Sequence, residues 1–230
     1  MILAAHQPQY LAWLGYYHKM ARCDAFVYLD RVQYKKREYQ NRNRIKSPHG
    51  ELWLTLPVIT KGRYTQPMAD VRLDGTKDWA QEHLKSLLLN YHKAPHFEGH
   101  GSYFKEIYGH KWDRLVPLCL EMDGYMRRQF GIGPKIHLES EVGSEGASTS
   151  RLISICKKLN ADTYLSGQGG KGYLDEEAFA KSGIRLLYQE FKAPVYPQRF
   201  GDFLPNLAAV DLLFNRGPDE CRRLLDNMLI

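Results

Sequence analysis

The first thirty residues of the chain, MILAAHQPQYLAWLGYYHKMARCDAFVYLD (residues 1–30), decide the fold. An apolar run at 1–5 leads into the polar cluster 6–9, which predicts a strand that ends in a loop. Residues 14–21 have helical spacing, and a second apolar run at 25–29 lies between two aspartates. A strand, a helix and a strand within so short a span predict a right-handed βαβ unit with parallel strands.

The middle of the chain differs from both ends. Residues 52–58 predict a strand toward a sheet edge, because Pro57 cannot donate to a sheet ladder. Between 60 and 129 the alternation of strands and helices is lost, and apolar residues follow helical spacing. We expect helices there at 79–91, 103–108 and 115–130.

The last hundred residues return to the alternation of the first thirty. Strands are expected at 135–138, 163–165 and 184–188, and helices at 149–159 and 175–181. This order predicts an α/β fold with a mostly parallel, doubly wound sheet. Its core would consist of residues 1–59 and 130–230, with a mainly helical insertion over 60–129.

The composition is that of a folded domain. The chain has 230 residues, of which 43% are hydrophobic and 25% charged, so it can bury a sizeable core without disulfides. No stretch approaches the roughly 20 apolar residues of a transmembrane helix, and the N-terminus lacks a signal-peptide pattern. We therefore expect a cytoplasmic protein with no membrane contact. The four cysteines are widely spaced and are expected to be reduced core residues.

Positive charge is concentrated in one segment. Residues 31–46 contain seven basic residues and one acid, which accounts for the whole net charge of +6. A local surplus of this kind favours an anion site, and arginine forks suit phosphate. The candidate ligands in and near this segment are Tyr10, Asp30, Gln33, Lys36, Arg37, Asn41, Arg42 and Asn43.

Three residues near the first strand are candidates for catalysis. His6 and Gln7 follow that strand, and ligands of parallel α/β sheets bind beyond the carboxyl ends of strands. His6 could donate a hydrogen bond to phosphate or exchange a proton near pH 7. Gln7 could orient an amide or a carboxylate, and Lys19, on the predicted helix, could bind phosphate.

A glycine-rich turn follows the strand expected at 163–165. Its sequence, SGQGGKG at 166–172, permits close approach of backbone N–H groups to an anion. It is neither a P-loop nor a complete dinucleotide fingerprint. The candidate binding residues are Ser166, Gly167, Gly169, Gly170 and Tyr173.

No metal site is expected. Four histidines fall between residues 92 and 110, but their spacing is not that of a helical zinc pair. No cysteine or cluster of carboxylates completes a ligand set near them.

Blocks of sequence along nearly the whole chain resemble the WbqC-like family. The opening block is HQPQY at 6–10 followed by Trp13, Lys19, LD at 29–30, VQY at 32–34 and NRN at 41–43. Later blocks are YLSG at 164–167 and DLLFN at 211–215. Residues Leu11 and Ala12 depart from the family, which often has an aromatic residue and a proline there. The resemblance implies a role in surface-polysaccharide assembly, with transfer of glycine to a sugar as the suggested activity.

The layout of strands is also similar to that of nucleotidylyltransferase-type folds. The paired histidines of their HxGH motif are absent, because His6 is followed by Gln7, Pro8 and Gln9. This similarity is architectural and does not fix a function.

These observations favour a transferase or ligase that acts on an anionic small molecule, such as a nucleotide-linked sugar or an activated amino acid. The sequence does not identify the cofactor. ATP or another nucleotide would fit the cationic segment, and Mg²⁺ could accompany it. The alternative is a protein that binds RNA or aminoacyl-tRNA without catalysis, because cations interleaved with aromatic residues also suit a polynucleotide.

Overall fold

A five-stranded sheet lies at the centre of the protein in a computed structural model that describes residues 1–227. The strands of the chain are β1 (Ile2–His6), β2 (Ala25–Tyr28), β3 (Arg42–Ser47), β4 (Gly50–Thr55), β5 (Lys135–Leu138), β6 (Thr163–Ser166) and β7 (Arg185–Tyr188). The central sheet has the order β5-β2-β1-β6-β7, and every neighbouring pair in it is parallel. The predicted α/β fold with a mostly parallel sheet is therefore confirmed.

Helices cover both faces of this sheet. The helices are α1 (Leu14–Ala21), α2 (Trp79–Tyr91), α3 (Glu98–Gly109), α4 (Leu115–Phe130), α5 (Glu139–Val142), α6 (Ser148–Lys158), α7 (Glu176–Lys181) and α8 (Val210–Asn227). Side chains of β1 alternate between the faces: Leu3 and Ala5 pack in the cluster of α6 and α7, and Ala4 packs in the cluster of α1 and α4. Successive side chains of a strand point to opposite faces of the sheet. A strand that is buried on both faces therefore packs against helices on each side, as in a doubly wound sheet.

The basic segment ends in a strand that the sequence did not predict. Strand β3 pairs with β4 as a separate antiparallel hairpin, with Arg44 opposite Trp53. The strand expected at 52–58 toward a sheet edge is thus β4 of this hairpin, and it ends at Thr55. Just after this strand, the backbone N–H of Leu56 donates to the carbonyl oxygen of Asn41 (2.8 Å), and this bond closes the base of the hairpin.

Helix α8 was also not predicted. Its first part is buried at 210–215, and it kinks at Gly217, where φ is +76° and a proline follows. A side chain at Gly217 would collide with the ring of His96. The residue must therefore be glycine for both its backbone conformation and its close packing.

The helices between residues 60 and 129 contribute to the main apolar core. Buried residues of α2, α3 and α4 belong to the same cluster as those of α1 and α8. The division into a core of 1–59 and 130–230 and an insertion of 60–129 stays a prediction, and residues 228–230 lie outside the described residues. Within residues 1–227, no helix has both the length and the apolar character that crossing a bilayer requires.

Candidate functional site

The strand order places the end of β1 at a special position in the sheet. Counted along the chain, the five parallel strands are ordered third, second, first, fourth and fifth. The direction of winding reverses between β1 and β6, which end at His6 and Ser166. Crevices at such a reversal are the usual ligand sites of open α/β sheets.

A small pocket lies at this reversal. Its volume is about 210 Å³, and we call it the glycine-turn pocket because the turn after β6 forms one wall. The structure brings together eight of the residues that the sequence singled out, namely His6, Gln7, Lys19, Ser166, Gly167, Gly169, Gly170 and Tyr173.

A larger pocket adjoins it on the other side of His6 and Gln7. This basic-loop pocket has a volume of about 480 Å³, in the range of small-molecule sites. His6 and Gln7 line both pockets. The other lining residues are Gln9, Trp13, Lys35, Glu38, Tyr39, Gln40, Arg44 and Asn206. We call the two pockets together the cleft.

His6 is neutral in the free protein. Burial, and then the charge of Lys19, lowers the pKa of His6 to about 3. Its Nδ1 lies 3.1 Å from the carbonyl oxygen of Gln7, which can only accept, so the proton is on Nδ1 and Nε2 is an acceptor. The expectation that His6 exchanges a proton near pH 7 does not fit this low pKa. An anion bound beside it would raise the pKa, because it favours the charged imidazolium.

Lys19 is a buried cation at the floor of the glycine-turn pocket. Only 3% of it is exposed, and its Nζ donates to the carbonyl oxygen of Ala5 (3.0 Å). Burial lowers the pKa of Lys19 to about 8. No carboxylate among the described residues forms an ion pair with it. A buried ammonium without a counter-ion is costly, and an anionic guest would offset that cost.

Two polar atoms in the basic-loop pocket have no hydrogen-bond partner among the described residues. One is Oε1 of Gln9, a side chain that is 9% exposed, and the other is Nε of Arg44. The remaining Arg44 nitrogens are bonded, Nη1 to Glu51 (2.5 Å) and Nη2 to the carbonyl oxygen of Asn206 (3.2 Å). Two residues that line the pocket thus carry an unsatisfied buried acceptor and an unsatisfied buried donor, and the pocket also has the exposed side chains of Lys35 and Glu38.

The structure places the other eight candidate ligands outside both pockets, and their expected role in binding stays a prediction. Four of them, Tyr10, Asp30, Asn41 and Asn43, are buried and bonded to their own chain. Tyr10 contacts His83 (2.7 Å) and Tyr108 (2.5 Å) beneath α2 and α3. Asn41 and Asn43 donate to carbonyl oxygens of residues 56 and 11. These side chains stabilise the hairpin and its attachment to the loop after β1.

Asp30 and two of the less buried candidates are bonded elsewhere, and the last two are exposed. Asp30 accepts from N and Oγ of Ser140 at the start of α5, and Gln33 donates to a carbonyl oxygen at residue 64. Arg42 donates to the carbonyl oxygen of Arg37 and lies over the ring of Trp53. Lys36 and Arg37 are exposed and line neither pocket.

Two cations of the basic segment that line the basic-loop pocket were not among the predicted ligands. Lys35 and Arg44 face the basic-loop pocket because of the loop path and the hairpin register. The alternation of Asn41, Asn43 and Ile45 with two arginines was the available sequence signal for strand β3, since a period of two indicates a strand, but it does not say which arginine reaches the pocket. Among residues 1–227, no group of three His, Cys, Asp or Glu side chains could hold a metal ion.

The profile of the WbqC-like protein family matches residues 7–223, a span that includes both pockets except His6 and Ala5. An uncharacterized protein of Mycobacterium tuberculosis (strain ATCC 25618 / H37Rv), Rv1507c, is 34% identical over 225 residues, which is 96% of this chain and 97% of that protein. No solved structure matches the chain significantly.

Proposed function

The chain belongs to the WbqC-like protein family, and we propose that it is a transferase or ligase that acts on an anionic small molecule held in the cleft. The donor is a nucleotide-linked sugar or an activated amino acid. Transfer of glycine in surface-polysaccharide assembly is the version that the family resemblance suggests.

One observation carries the proposal: His6 and Gln7 line both pockets of the cleft at the reversal of strand order. A molecule that extends from one pocket into the other would pass both side chains. Its two ends would then meet different cations, Lys19 on one side and Lys35 and Arg44 on the other. Preorganised charge around a reacting group is typically the largest contribution to catalysis.

The side chains suit distinct roles in such a transfer. Lys19 and the backbone of the glycine turn would hold a phosphate or carboxylate of the donor. Nε2 of His6 would accept the proton of an attacking hydroxyl or amine while that group bonds to the transferred sugar or acyl carbon and the donor's leaving group departs with the electron pair of the broken bond. A bound anion would make His6 a stronger base. Gln7 would orient the reacting carbonyl or amide group.

Calorimetric titration with ATP, a uridine diphosphate sugar and glycine tests the proposal. We expect at least one phosphate-bearing ligand to bind, and Lys19→Met to weaken it by roughly tenfold or more, because a charge-assisted hydrogen bond is lost. Lys105→Gln, an exposed change on α3, serves as the control. The proposal is wrong if none of these anions binds, or if both variants bind as tightly as the wild type.

The alternative, RNA binding without catalysis, has one observation in its favour. Trp53 and Tyr39 are 40% and 36% exposed, with ring centroids 5.9 Å apart, and Arg42 lies over the Trp53 ring. Exposed aromatic rings beside arginines suit base stacking. A steep fall of affinity with salt, together with tighter binding of an oligonucleotide than of ATP, would favour this function.

A further inference from the structure

A third hollow lies apart from the cleft, between the loop at 63–72 and the start of α4. Its volume is about 350 Å³, and it shares no lining residue with either pocket of the cleft. Three arginines, Arg63, Arg72 and Arg114, line it together with one acid, Asp70. We call it the arginine hollow.

Two of these arginines lie directly opposite each other. Arg72 and Arg114 form an isolated antiparallel bridge, flanked by hydrogen bonds from Leu73 N to Asp113 O and from Leu115 N to Val71 O, each 3.0 Å. This pattern makes them a non-hydrogen-bonded pair, the type in which side chains stand closest. Like charges at such a pair destabilise a fold unless something neutralises them.

The described residues neutralise the pair only in part, because Asp70 lines the same hollow but forms no ion pair with the arginines. No carboxylate lies within ion-pair distance of any of the three guanidinium groups. The one side-chain hydrogen bond of Arg114 goes to the carbonyl oxygen of Ala69 (3.3 Å). Helix α4 begins directly after Arg114 with no acid in its first turn, so its positive end adds to the field. The hollow therefore carries a surplus of positive charge, three exposed arginines against the single carboxylate of Asp70.

A buried acceptor lies beside these donors. Gln66 lines the hollow and is 9% exposed. Its Nε2 donates to the carbonyl oxygen of Ile59 (3.0 Å), but its Oε1 has no partner among residues 1–227. A buried acceptor without a donor is costly, and a ligand hydroxyl would satisfy it.

We propose that the arginine hollow binds a small phosphomonoester that carries hydroxyl groups, of the chemical class of a sugar phosphate. The phosphate accepts from the guanidinium groups of Arg72 and Arg114, whose backbone positions lie opposite each other, and a hydroxyl donates to Oε1 of Gln66. Arginine forks match phosphate oxygens in pairs. Asp70 would repel a further phosphate, which favours a single small anion over a polynucleotide.

Calorimetric titration at low ionic strength with glucose 6-phosphate, inorganic phosphate and glucose tests the assignment. We expect glucose 6-phosphate to bind more tightly than phosphate, because only the sugar supplies the hydroxyl, and glucose not to bind. Arg72→Gln should weaken binding of glucose 6-phosphate by roughly tenfold. Lys85→Gln, which removes one exposed charge on α2, should not. Arg72→Gln should also raise the melting temperature of the ligand-free protein, since the like-charge contact is relieved.

Several outcomes overturn the assignment. Absence of glucose 6-phosphate binding in the millimolar range removes the site, and equal losses in Arg72→Gln and Lys85→Gln leave only a general effect of net charge. Tight binding of an RNA oligonucleotide that Arg72→Gln abolishes, without binding of the sugar phosphate, would replace the small ligand by a polymer. Because Lys19→Met leaves this hollow intact, failure of the cleft proposal is distinguishable from failure here.

Discussion

Lys19 and His6 line one small pocket, and the charge of Lys19 adds to burial in lowering the pKa of His6 to about 3. The variant Lys19→Met removes the charge and keeps a long unbranched side chain. We expect the pKa of His6 to rise but to stay below 6.5, because burial is the larger cause and remains. NMR titration of the imidazole signals measures it, with Lys36→Met as the control. An equal pKa of His6 in the wild type and in both variants would show that the charge of Lys19 does not act on His6.

Lys19→Met should also change how the stability of the protein depends on pH. The pKa of Lys19 is about 8 in the folded protein against 10.5 for an ordinary lysine, so between these values the unfolded chain binds more protons. The buried ammonium of Lys19 therefore destabilises the folded state fully below pH 8, and this destabilisation is relieved as the pH rises toward 10.5. At pH 7 we expect Lys19→Met to be more stable by about 1–3 kcal/mol, the lost bond to Ala5 offsetting part of the gain.

Urea unfolding at pH 7 and pH 10 measures this difference. The gap between variant and wild type should be widest at pH 7 and should narrow at pH 10. A variant that is less stable than the wild type at pH 7 would show that Lys19 has a mainly structural role, and it would remove the argument that the pocket is built for an anion.

Gln9 and Asn43 are two buried amides with opposite expected roles. Oε1 of Gln9 has no partner among the described residues, whereas Asn43 donates to Leu11 (2.6 Å) and accepts from Arg44 N (2.8 Å). Asn43→Leu should lower the free energy of unfolding by about 1–3 kcal/mol per group left unsatisfied. Gln9→Met should change it little and should weaken ligand binding in the cleft. Chemical unfolding measures the change in stability, and calorimetry measures the change in ligand binding. A large stability loss in Gln9→Met would show that Gln9 has a structural role and not a binding role.

The sequence predicts those elements of the fold that depend on the pattern of neighbouring residues. The central strands and α1 follow from short apolar runs, and His6, Gln7 and the glycine turn lie together because they follow the ends of β1 and β6. Strand β3 was missed because its residues are mostly polar and its partner β4 forms a separate sheet.

The cations that line the basic-loop pocket, Lys35 and Arg44, were not predicted for the same reason. Whether Arg42 or Arg44 faces the basic-loop pocket depends on the path of the chain around the hairpin, and no local spacing encodes that path. Arg42 stacks on Trp53 at 4.4 Å, while Arg44, two residues on, reaches the pocket. Both lie on one face of β3, so period alone does not distinguish them.

The glycine turn offers a test in which stability and binding separate at neighbouring positions. A Cβ at Gly170 would collide with the side chain of Ser166 and lie 2.9 Å from Cδ1 of Leu174, whereas one at Gly169 would meet nothing within 4 Å. Gly170→Ala should therefore lower stability by about 1–3 kcal/mol. Gly169→Ala should leave the melting temperature unchanged. If the turn approaches an anion through its backbone, the added methyl group of Gly169→Ala should still weaken binding in the cleft. Thermal unfolding and calorimetry of both variants measure these effects, and unaltered ligand affinity in Gly169→Ala would mean that this residue does not approach the anion.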